Sequence, residues 1–300
     1  MIFSGLRLPF ARTNQRVTLV MESTVLRVMV AEGETVVRWA TEPLAPGLLR
    51  EGVVADPAGL GQALAEFFQR GGFPRGPLVS CLSAGHMLYR RFTLPALKAA
   101  DLESAVRYQA RRELPLPLEE MTIAWQVVRS TEQQHEVFVV GVPRDVMAGY
   151  LDAFKRAGIR PAALDIKPLA LARTLDRGTA IVANVEADSL DMIYVHQWVP
   201  EFMRTAYFGE WTQASGAPVA QIVAELQRSI KFYNDTNRGS PVSPATPLYL
   251  TGGGDYFSLA EALYSVIDHP IQRLDSPLRH PPEFPVDEFA TNLGLALKAL

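Results

Sequence analysis

The chain has 300 residues, of which 48% are hydrophobic and 20% are charged, and its formal net charge is −3. This composition is typical of a globular protein, and the absence of a dominant basic cluster argues against a nucleic-acid-binding surface. Cys81 is the only cysteine, which excludes an intrachain disulfide, and no apolar run reaches the roughly 18 residues that a membrane span needs.

From residue 17 onward, short apolar strands alternate with amphipathic helices. Residues 1–16 are predicted to be an N-terminal tail, with a tether to the membrane surface as the alternative; Arg7, Pro9 and Arg12 interrupt the apolar segment that a signal peptide would need. Hydrophobic periodicity and Gly/Pro punctuation predict the remaining elements. The predicted strands are a pair over 17–30 with its tip at 22–24, then 35–40, 78–84, 86–94, 123–129, 137–142, 162–166, 180–185, 191–195, 201–206 and 248–251. The predicted helices are 57–69, 101–114 with Asp101 as the N-cap, 143–158, 168–176, 217–234, 256–266 and 287–300.

The order strand–strand–strand–helix–strand occurs twice, at 17–84 and, in altered form, at 180–251. A segment at 85–142, with its own strand–helix–strand–strand pattern, interrupts the first copy. We therefore predict a first lobe over 17–84 with 143–176, an insert over 85–142, and a second lobe over 177–300 whose terminal helix, 287–300, packs on the first lobe. Two duplicated lobes predict a cleft lined by the hairpin tips.

Several segments, in their order and spacing, resemble one known family. They are EPLAPGLLREGVVADPAGLGQAL (42–64), the Leu-Pro step and Pro-x-Pro-Leu-Glu-Glu run within 90–128, VGVPRDVMAGYLDAFKRAGIRPAALDIKPLALAR (140–173), ELQRSIKFYND, LTGGGD and FATNLGLAL. The chain resembles the PilM-type proteins of type IV pilus assembly, which are members of the actin-like ATPase superfamily. The resemblance implies an α/β fold of two duplicated ribonuclease-H-like lobes, with a small inserted α+β (SHS2-like) subdomain in the first lobe.

The resemblance also implies a setting and a function. Family members lie in the cytoplasm, peripheral at the inner face of the cell membrane. They bind the cytoplasmic tail of a PilN-like bitopic membrane protein and connect the envelope complex to pilus motor ATPases. They typically bind ATP in the interlobe cleft. A homo-oligomer, and the choice between a machine for pili, DNA uptake or secretion, stay open.

The family's two phosphate-binding hairpins each read Asp-x-Gly. On this chain the first hairpin has Val20 at the Asp position and Glu22 at the Gly position, and Arg27 stands where the family has a lysine. The second hairpin has Asn184 at the Asp position and Glu186 at the Gly position. Glycine is used at such tips because a phosphate must approach the backbone closely, so glutamate adds both bulk and like charge there.

Most other positions of the candidate cleft keep a family-like character. Asp188, Ser189 and Asp191 keep a family-like polarity, and Gly252, Gly253 and Gly254 resemble the adenosine-side loop; Ser23 is a further candidate residue of the cleft. After Gly209 only the short stretch 210–218 stands where the family has a longer subdomain, which predicts a shortened second lobe.

Three interpretations of the cleft follow. In the first, the chain is an ATPase; in the second, it binds nucleotide without hydrolysing it; in the third, it is a degenerate scaffold without ATP and Mg²⁺. The substitutions at the two hairpin tips favour the third interpretation. We further hypothesise that Glu22 and Glu186 pair with Arg27 or with other basic residues across the cleft. No catalytic residue is assigned. The five histidines are scattered without metal-ligand spacing, so no metal site is predicted.

By analogy with the family, a partner's tail is expected in a groove between the insert and the first lobe, bound as an extended peptide. The candidate contact residues are Met87, Tyr89, Leu94, Leu102, Ala105, Val106 and Tyr108. The alternative is that these side chains form the core of the insert.

Overall fold

Two five-stranded sheets form the framework of the molecule. The computed structural model describes residues 15–75, 77–209, 219–254 and 256–298. Its strands are β1 (Gln15–Met21), β2 (Val25–Glu32), β3 (Thr35–Pro43), β4 (Leu49–Arg50), β5 (Val53–Val54), β6 (Leu78–Leu82), β7 (Leu88–Pro95), β8 (Met121–Ser130), β9 (Gln134–Pro143), β10 (Pro161–Ile166), β11 (Ala180–Val185), β12 (Ser189–His196), β13 (Val199–Tyr207), β14 (Leu248–Gly252) and β15 (Ile271–Gln272). Its helices are α1 (Pro57–Gly71), α2 (Ala99–Glu113), α3 (Arg144–Arg156), α4 (Lys167–Arg173), α5 (Val219–Thr236), α6 (Tyr256–Tyr264) and α7 (Ala290–Ala296).

The two sheets have the same topology. The first runs β3-β2-β1-β6-β10 and the second runs β13-β12-β11-β14-β15. In each sheet an antiparallel meander is followed by two strands that lie parallel to the central one. The duplication that the sequence predicts is therefore present, and it agrees with the two-lobed α/β fold that the resemblance implies.

Helix α1 illustrates how local sequence sets an element. Asp56 caps it by accepting hydrogen bonds from the backbone N–H groups of Ala58 and Gly59, each at 3.0 Å, and Pro57 opens the first turn. Gly72 ends it in the left-handed conformation, with φ of 57°. Its buried face, Leu60, Leu64, Phe67 and Phe68, is the one predicted from the periodicity.

The insert consists of β7, α2, β8 and β9. Its sheet runs β7-β9-β8, and α2 packs on one face through Leu102, Val106 and Ala110. The prediction that Asp101 caps this helix is wrong, because the helix begins at Ala99 after Lys98, and Asp101 lies in its first turn. Within the described part of the insert, β8 is an edge strand.

Both predicted terminal boundaries need correction. The tail does not extend to residue 16, because Gln15 and Arg16 pair with Glu32 and Ala31 as the first residues of β1; residues 1–14 lie outside the described ranges. The last helix begins at Ala290 rather than 287 and ends at Ala296. It begins late because the segment before it is held elsewhere: the carbonyl of Asp287 accepts a hydrogen bond from the Gly252 N–H.

The two lobes and the insert share one apolar core. It includes Leu19 of β1, Phe138 of β9 and Val182 of β11. Helix α7 packs on α4 and on β1 and β2, so the chain's last helix lies against the first lobe. The lobes are thus joined by buried apolar surface as well as by polar contacts. None of the helices in the described ranges combines the length and the hydropathy that a membrane crossing requires.

Candidate functional site

The tips of two equivalent hairpins face each other across the cleft. One is the turn between β1 and β2, which carries Glu22, and the other is the turn between β11 and β12, which carries Glu186. Both side chains are buried, at 4% and 3% exposure. Two buried glutamates need partners, because an unpaired carboxylate in a low-dielectric site is costly.

Arg27 of β2 is the partner of Glu186. Its two terminal nitrogens donate to the two carboxylate oxygens, each at 2.9 Å, in a bidentate ion pair. Its Nε donates to Glu288 at 3.1 Å, and Glu288 also accepts from the Thr41 hydroxyl at 3.1 Å. This pair joins the first lobe to the second.

Lys167, the first residue of α4, forms the other half of the arrangement. Its ammonium is 2.8 Å from a Glu22 carboxylate oxygen and 2.8 Å from an Asp191 oxygen on β12. Asp191 also accepts a hydrogen bond from the Thr205 hydroxyl at 2.6 Å. We call Glu22, Arg27, Lys167, Glu186, Asp191 and Glu288 the cleft network.

The electrostatics of the network follow from burial and pairing. Burial would lower the pKa of Lys167, but Asp191 and Glu22 outweigh it and hold that pKa well above its ordinary value. Burial likewise opposes the charge of Arg27, and Glu186 more than compensates, so its pKa is also raised. Burial raises the pKa of Glu22 to about 7, although Lys167 opposes the shift. One oxygen of Glu22, Oε1, has no hydrogen-bond partner among the described residues.

We expect Glu22→Gln to flatten the pH dependence of stability. Because the folded-state pKa of Glu22 is raised from 4.5 to about 7, its favourable contribution is complete below pH 4.5 and is lost as the pH rises through 7. Between pH 5 and pH 8 the variant should therefore gain on the order of 1–3 kcal/mol relative to the wild type. Urea denaturation at both pH values measures this difference. The exposed Glu119→Gln variant is the control, and an equal change in both variants would contradict the prediction.

The other predicted residues of the two hairpins also lie at this site and are buried. Val20, at the family's Asp position, is buried in an apolar cluster with Val79 and Cys81. Asn184 accepts a hydrogen bond from the Thr251 hydroxyl at 3.1 Å, and its Nδ2 has no partner within the described ranges. The remaining members of the two tips, Ser23, Asp188 and Ser189, are all buried.

The glycine loop after β14 is shaped around Arg27. A Cβ on Gly253 would lie 2.6 Å from a terminal nitrogen of Arg27, and one on Gly254 would lie 2.9 Å from the Val185 side chain. Gly252 has φ of 101°, and its Cβ would lie 2.2 Å from the Val185 carbonyl oxygen. Close contacts within the chain therefore explain why these three positions are glycine.

Sequence reasoning missed two important members of the site. Lys167 lies in the run Asp-Ile-Lys-Pro-Leu, at an otherwise apolar junction between a strand and a helix. A single cation in such a place could have indicated a buried ion pair. Asn292 of α7 donates to the Thr18 and Arg27 carbonyl oxygens, at 3.3 and 3.1 Å. No local pattern indicates that contact, because it joins residues more than 260 positions apart.

A groove of about 310 Å³ lies where the insert, the first lobe and the second lobe meet. The insert contributes the strand residues 124–128 together with Phe138 and Val140, the first lobe contributes Leu169, Ala172 and Arg173, and the second lobe contributes residues 197–200. Five consecutive residues of the edge strand β8 line it, and so do Phe138 and Val140 of the neighbouring strand β9, so the groove covers one face of the insert's sheet and reaches the edge of β8. We call this cavity the groove.

The predicted partner-contact residues do not line this groove. Leu94, Leu102 and Val106 are buried in the insert's core, and Ala105 packs against it. Met87 and Tyr89 pack against the main core instead, and only Tyr108 is largely exposed, at 67%. Apart from Tyr108, these side chains are buried or half-buried, so the seven residues do not form one exposed surface.

Tyr89 joins the insert to the second lobe. Its hydroxyl donates to the Met203 carbonyl oxygen at 3.2 Å and accepts from the Met203 N–H at 2.9 Å, on the outer edge of β13. Its ring stacks on Phe138, with ring centroids 6.1 Å apart, and Phe138 lines the groove. The tyrosine therefore links the groove to the second sheet.

Tyr89→Phe should lower the free energy of unfolding by about 1–3 kcal/mol, because it leaves a buried N–H and a buried carbonyl on β13 without their partner. Denaturant unfolding measures the change. Tyr108→Phe removes the same hydroxyl from an exposed ring and should change stability by less than about 0.5 kcal/mol. Similar losses in the two variants would show that the Met203 contact is not stabilising.

Comparisons with known proteins bear on the fold and the family of the chain. The family model described as type IV pilus assembly protein PilM matches residues 23–197. A solved structure, a PilM–PilN type IV pilus biogenesis complex, is 25% identical and has a TM-score of 0.78, covering 94% of this chain and 97% of that one. No curated protein sequence matches the chain.

More distant structures share the fold. The ethanolamine utilization protein EutJ from Carboxydothermus hydrogenoformans is 12% identical, with a TM-score of 0.56 and coverage of 99% and 93%. The cytoplasmic domain of EpsL, an inner membrane component of the Vibrio cholerae type II secretion system, is 16% identical, with a TM-score of 0.55 and coverage of 95% and 96%. The family model spans more than half of the sequence, and the chain therefore belongs to the PilM family of type IV pilus assembly proteins.

Proposed function

We propose that this PilM-family protein is a non-catalytic scaffold that works without ATP and Mg²⁺. The observation that supports this most directly is the cleft network, in which Arg27 and Lys167 are already neutralised by carboxylates of the same chain. A triphosphate at the hairpin tips would meet Glu22, Glu186 and Asp191 and would have to displace them from both cations. Two like charges about 4 Å apart repel by about 4 kcal/mol at an effective dielectric constant of about 20.

Val20 strengthens this proposal. Magnesium sites use oxygen ligands at fixed positions, and the position at which the family has an aspartate carries a buried valine here. The residues present therefore do not fit the nucleotide and metal that the fold family implies, and no step of the protein's action is assigned to them.

Isothermal titration of the purified chain with ATP and Mg²⁺ tests the proposal. We expect no saturable heat up to about 1 mM ATP and no increase in unfolding temperature, since a ligand at 100 times its Kd would add about 2.7 kcal/mol. Binding in the micromolar range would overturn the proposal that the cleft is degenerate, and it would favour an ATP-binding member of the same superfamily.

The scaffold's proposed partner is the cytoplasmic tail of a PilN-like membrane protein. The match to PilM in a complex with PilN supports this partner, and the groove beside the insert offers a free strand edge for an extended peptide. Such an interaction would hold the protein at the inner face of the cell membrane.

A titration with a synthetic peptide that covers this tail, from the PilN-like protein of the same organism, tests the assignment. We expect saturable binding that is lost in Gln126→Trp, which fills the groove from an exposed position on β8. Unchanged binding in this variant would place the tail elsewhere, and no binding to the wild type would count against the scaffold role.

A further inference from the structure

The groove has a wall that belongs to the second lobe, and this wall has an unusual backbone. Gln197 and Trp198 form the two-residue turn between β12 and β13, since His196 pairs with Val199. Both have positive φ, at 51° and 68°. Turns of this kind favour Asn-Gly or Asp-Gly, because side chains other than Asn and Asp rarely adopt the left-handed region.

The strained turn presents an aromatic ring to solvent. Trp198 is 61% exposed, and it lines the groove together with Val199 and Pro200. Its backbone N–H donates to the Gly178 carbonyl oxygen at 2.8 Å, and a Cβ on Gly178 would lie 2.9 Å from the indole nitrogen. The absence of a side chain at Gly178 thus leaves room for the indole beside the groove.

The turn is also tied to the insert. The Arg129 guanidinium of β8 donates to the side-chain oxygen of Gln197. The strand edge that would receive a peptide and the turn that carries the indole are therefore held together directly. The turn is thus held by Gly178 on one side and by Arg129 on the other. Strained backbone that is held in this way is common where a side chain is positioned to bind a ligand.

We propose that Trp198 is a binding determinant for the tail, so that the bound tail contacts the insert, the first lobe and the second lobe at once. This inference rests on the proposed tail-binding function. The tail pairs its main chain with the edge of β8 over residues 124–127, since the irregular register beyond Val127 interrupts regular pairing there. Its apolar side chains lie between Leu169 of α4 and the Trp198 indole.

This mode of binding requires the insert and the two lobes to lie as they do in the structure. Helix α4 lines the groove through Leu169, Ala172 and Arg173, and the same helix carries Lys167 of the cleft network at its first position. A tail that contacts the insert and both lobes at once binds this arrangement of the three parts and stabilises it.

Trp198→Asn tests the proposal, with the synthetic tail peptide as the probe. Asparagine suits the left-handed turn better than tryptophan but removes the indole, so we expect an unchanged or higher melting temperature together with at least a tenfold loss of peptide affinity. Tyr264→Asn removes another exposed aromatic ring of the second lobe and should bind the peptide as the wild type does.

Hydrogen exchange on the wild-type chain gives a second measurement. The bound peptide should protect the amides of residues 197–199 as well as those of β8. If Gln126→Trp abolishes binding while Trp198→Asn binds normally and the peptide does not slow exchange at residues 197–199, the proposed function stands and this inference is overturned. If the wild type does not bind the peptide, the proposed function itself has failed.

Discussion

Replacing Lys167 with methionine should lower the free energy of unfolding by about 3–5 kcal/mol, because it leaves two buried carboxylates without their cation. Glu22 and Asp191 each lie 2.8 Å from the Lys167 ammonium, and all three groups are at most 4% exposed. Methionine keeps the length and the apolar part of the side chain, so the loss reports the charge. Urea denaturation at pH 8, where Glu22 is largely ionised, measures the largest effect.

Lys231→Met is the matched control. Lys231 is paired with Asp235 at 2.6 Å on an exposed face of α5, and such surface pairs contribute about 0–1 kcal/mol. A loss in Lys167→Met that is no larger than in this control would mean that the cleft network does not hold the lobes together. A smaller loss in Lys167→Met at pH 5 is expected, because Glu22 is then protonated.

Gly294→Ala should cost about 3 kcal/mol, at the upper end of overpacking effects in well-packed cores. A Cβ on Gly294 of α7 would lie 1.8 Å from the carbonyl oxygen of Ala170 in α4 and 2.4 Å from its carbonyl carbon. The atoms that it meets belong to the backbone, so the two helices must separate. Because α4 begins with Lys167, this separation also disturbs the cleft network.

Gly239→Ala is the corresponding control, since a Cβ there meets no atom within 4 Å. We expect its stability to be unchanged or slightly increased, as the substitution restricts the unfolded chain. Thermal unfolding of both variants measures the contrast. Equal melting temperatures would show that α4 and α7 can move apart without loss, and that the terminal helix does not help fix the first lobe.

Much of the architecture could be predicted from local pattern. The strands at 180–185 and 248–251 and the helix at 57–69 were expected from apolar periodicity, caps and glycine stops, and the structure has each within a few residues. The repeated element order predicted the two matching sheets. Local pattern succeeds here because each strand or helix buries a face that is already written in the spacing of its own residues.

The contact of the seven candidate insert residues with a partner stays a prediction, and the structure leaves only Tyr108 among them largely exposed. Leu102 and Val106 belong to a regular apolar stripe, and a helix uses such a stripe to pack on its own sheet. The groove is lined instead by consecutive residues of β8 and by the turn at Trp198. An edge strand becomes visible only when strand order is known, and the order β7-β9-β8 is not the order of the chain.

By itself, the sequence determined that both hairpin tips carry glutamate where glycine is expected, and this substitution was sufficient to question a nucleotide site. Only the tertiary structure decided what those glutamates do. Glu186 meets Arg27 across 159 positions, and Glu22 meets Lys167 across 145. Ion pairs of this range depend on how two separately folded lobes close on each other, and this closure is set by their shared apolar core rather than by any local pattern.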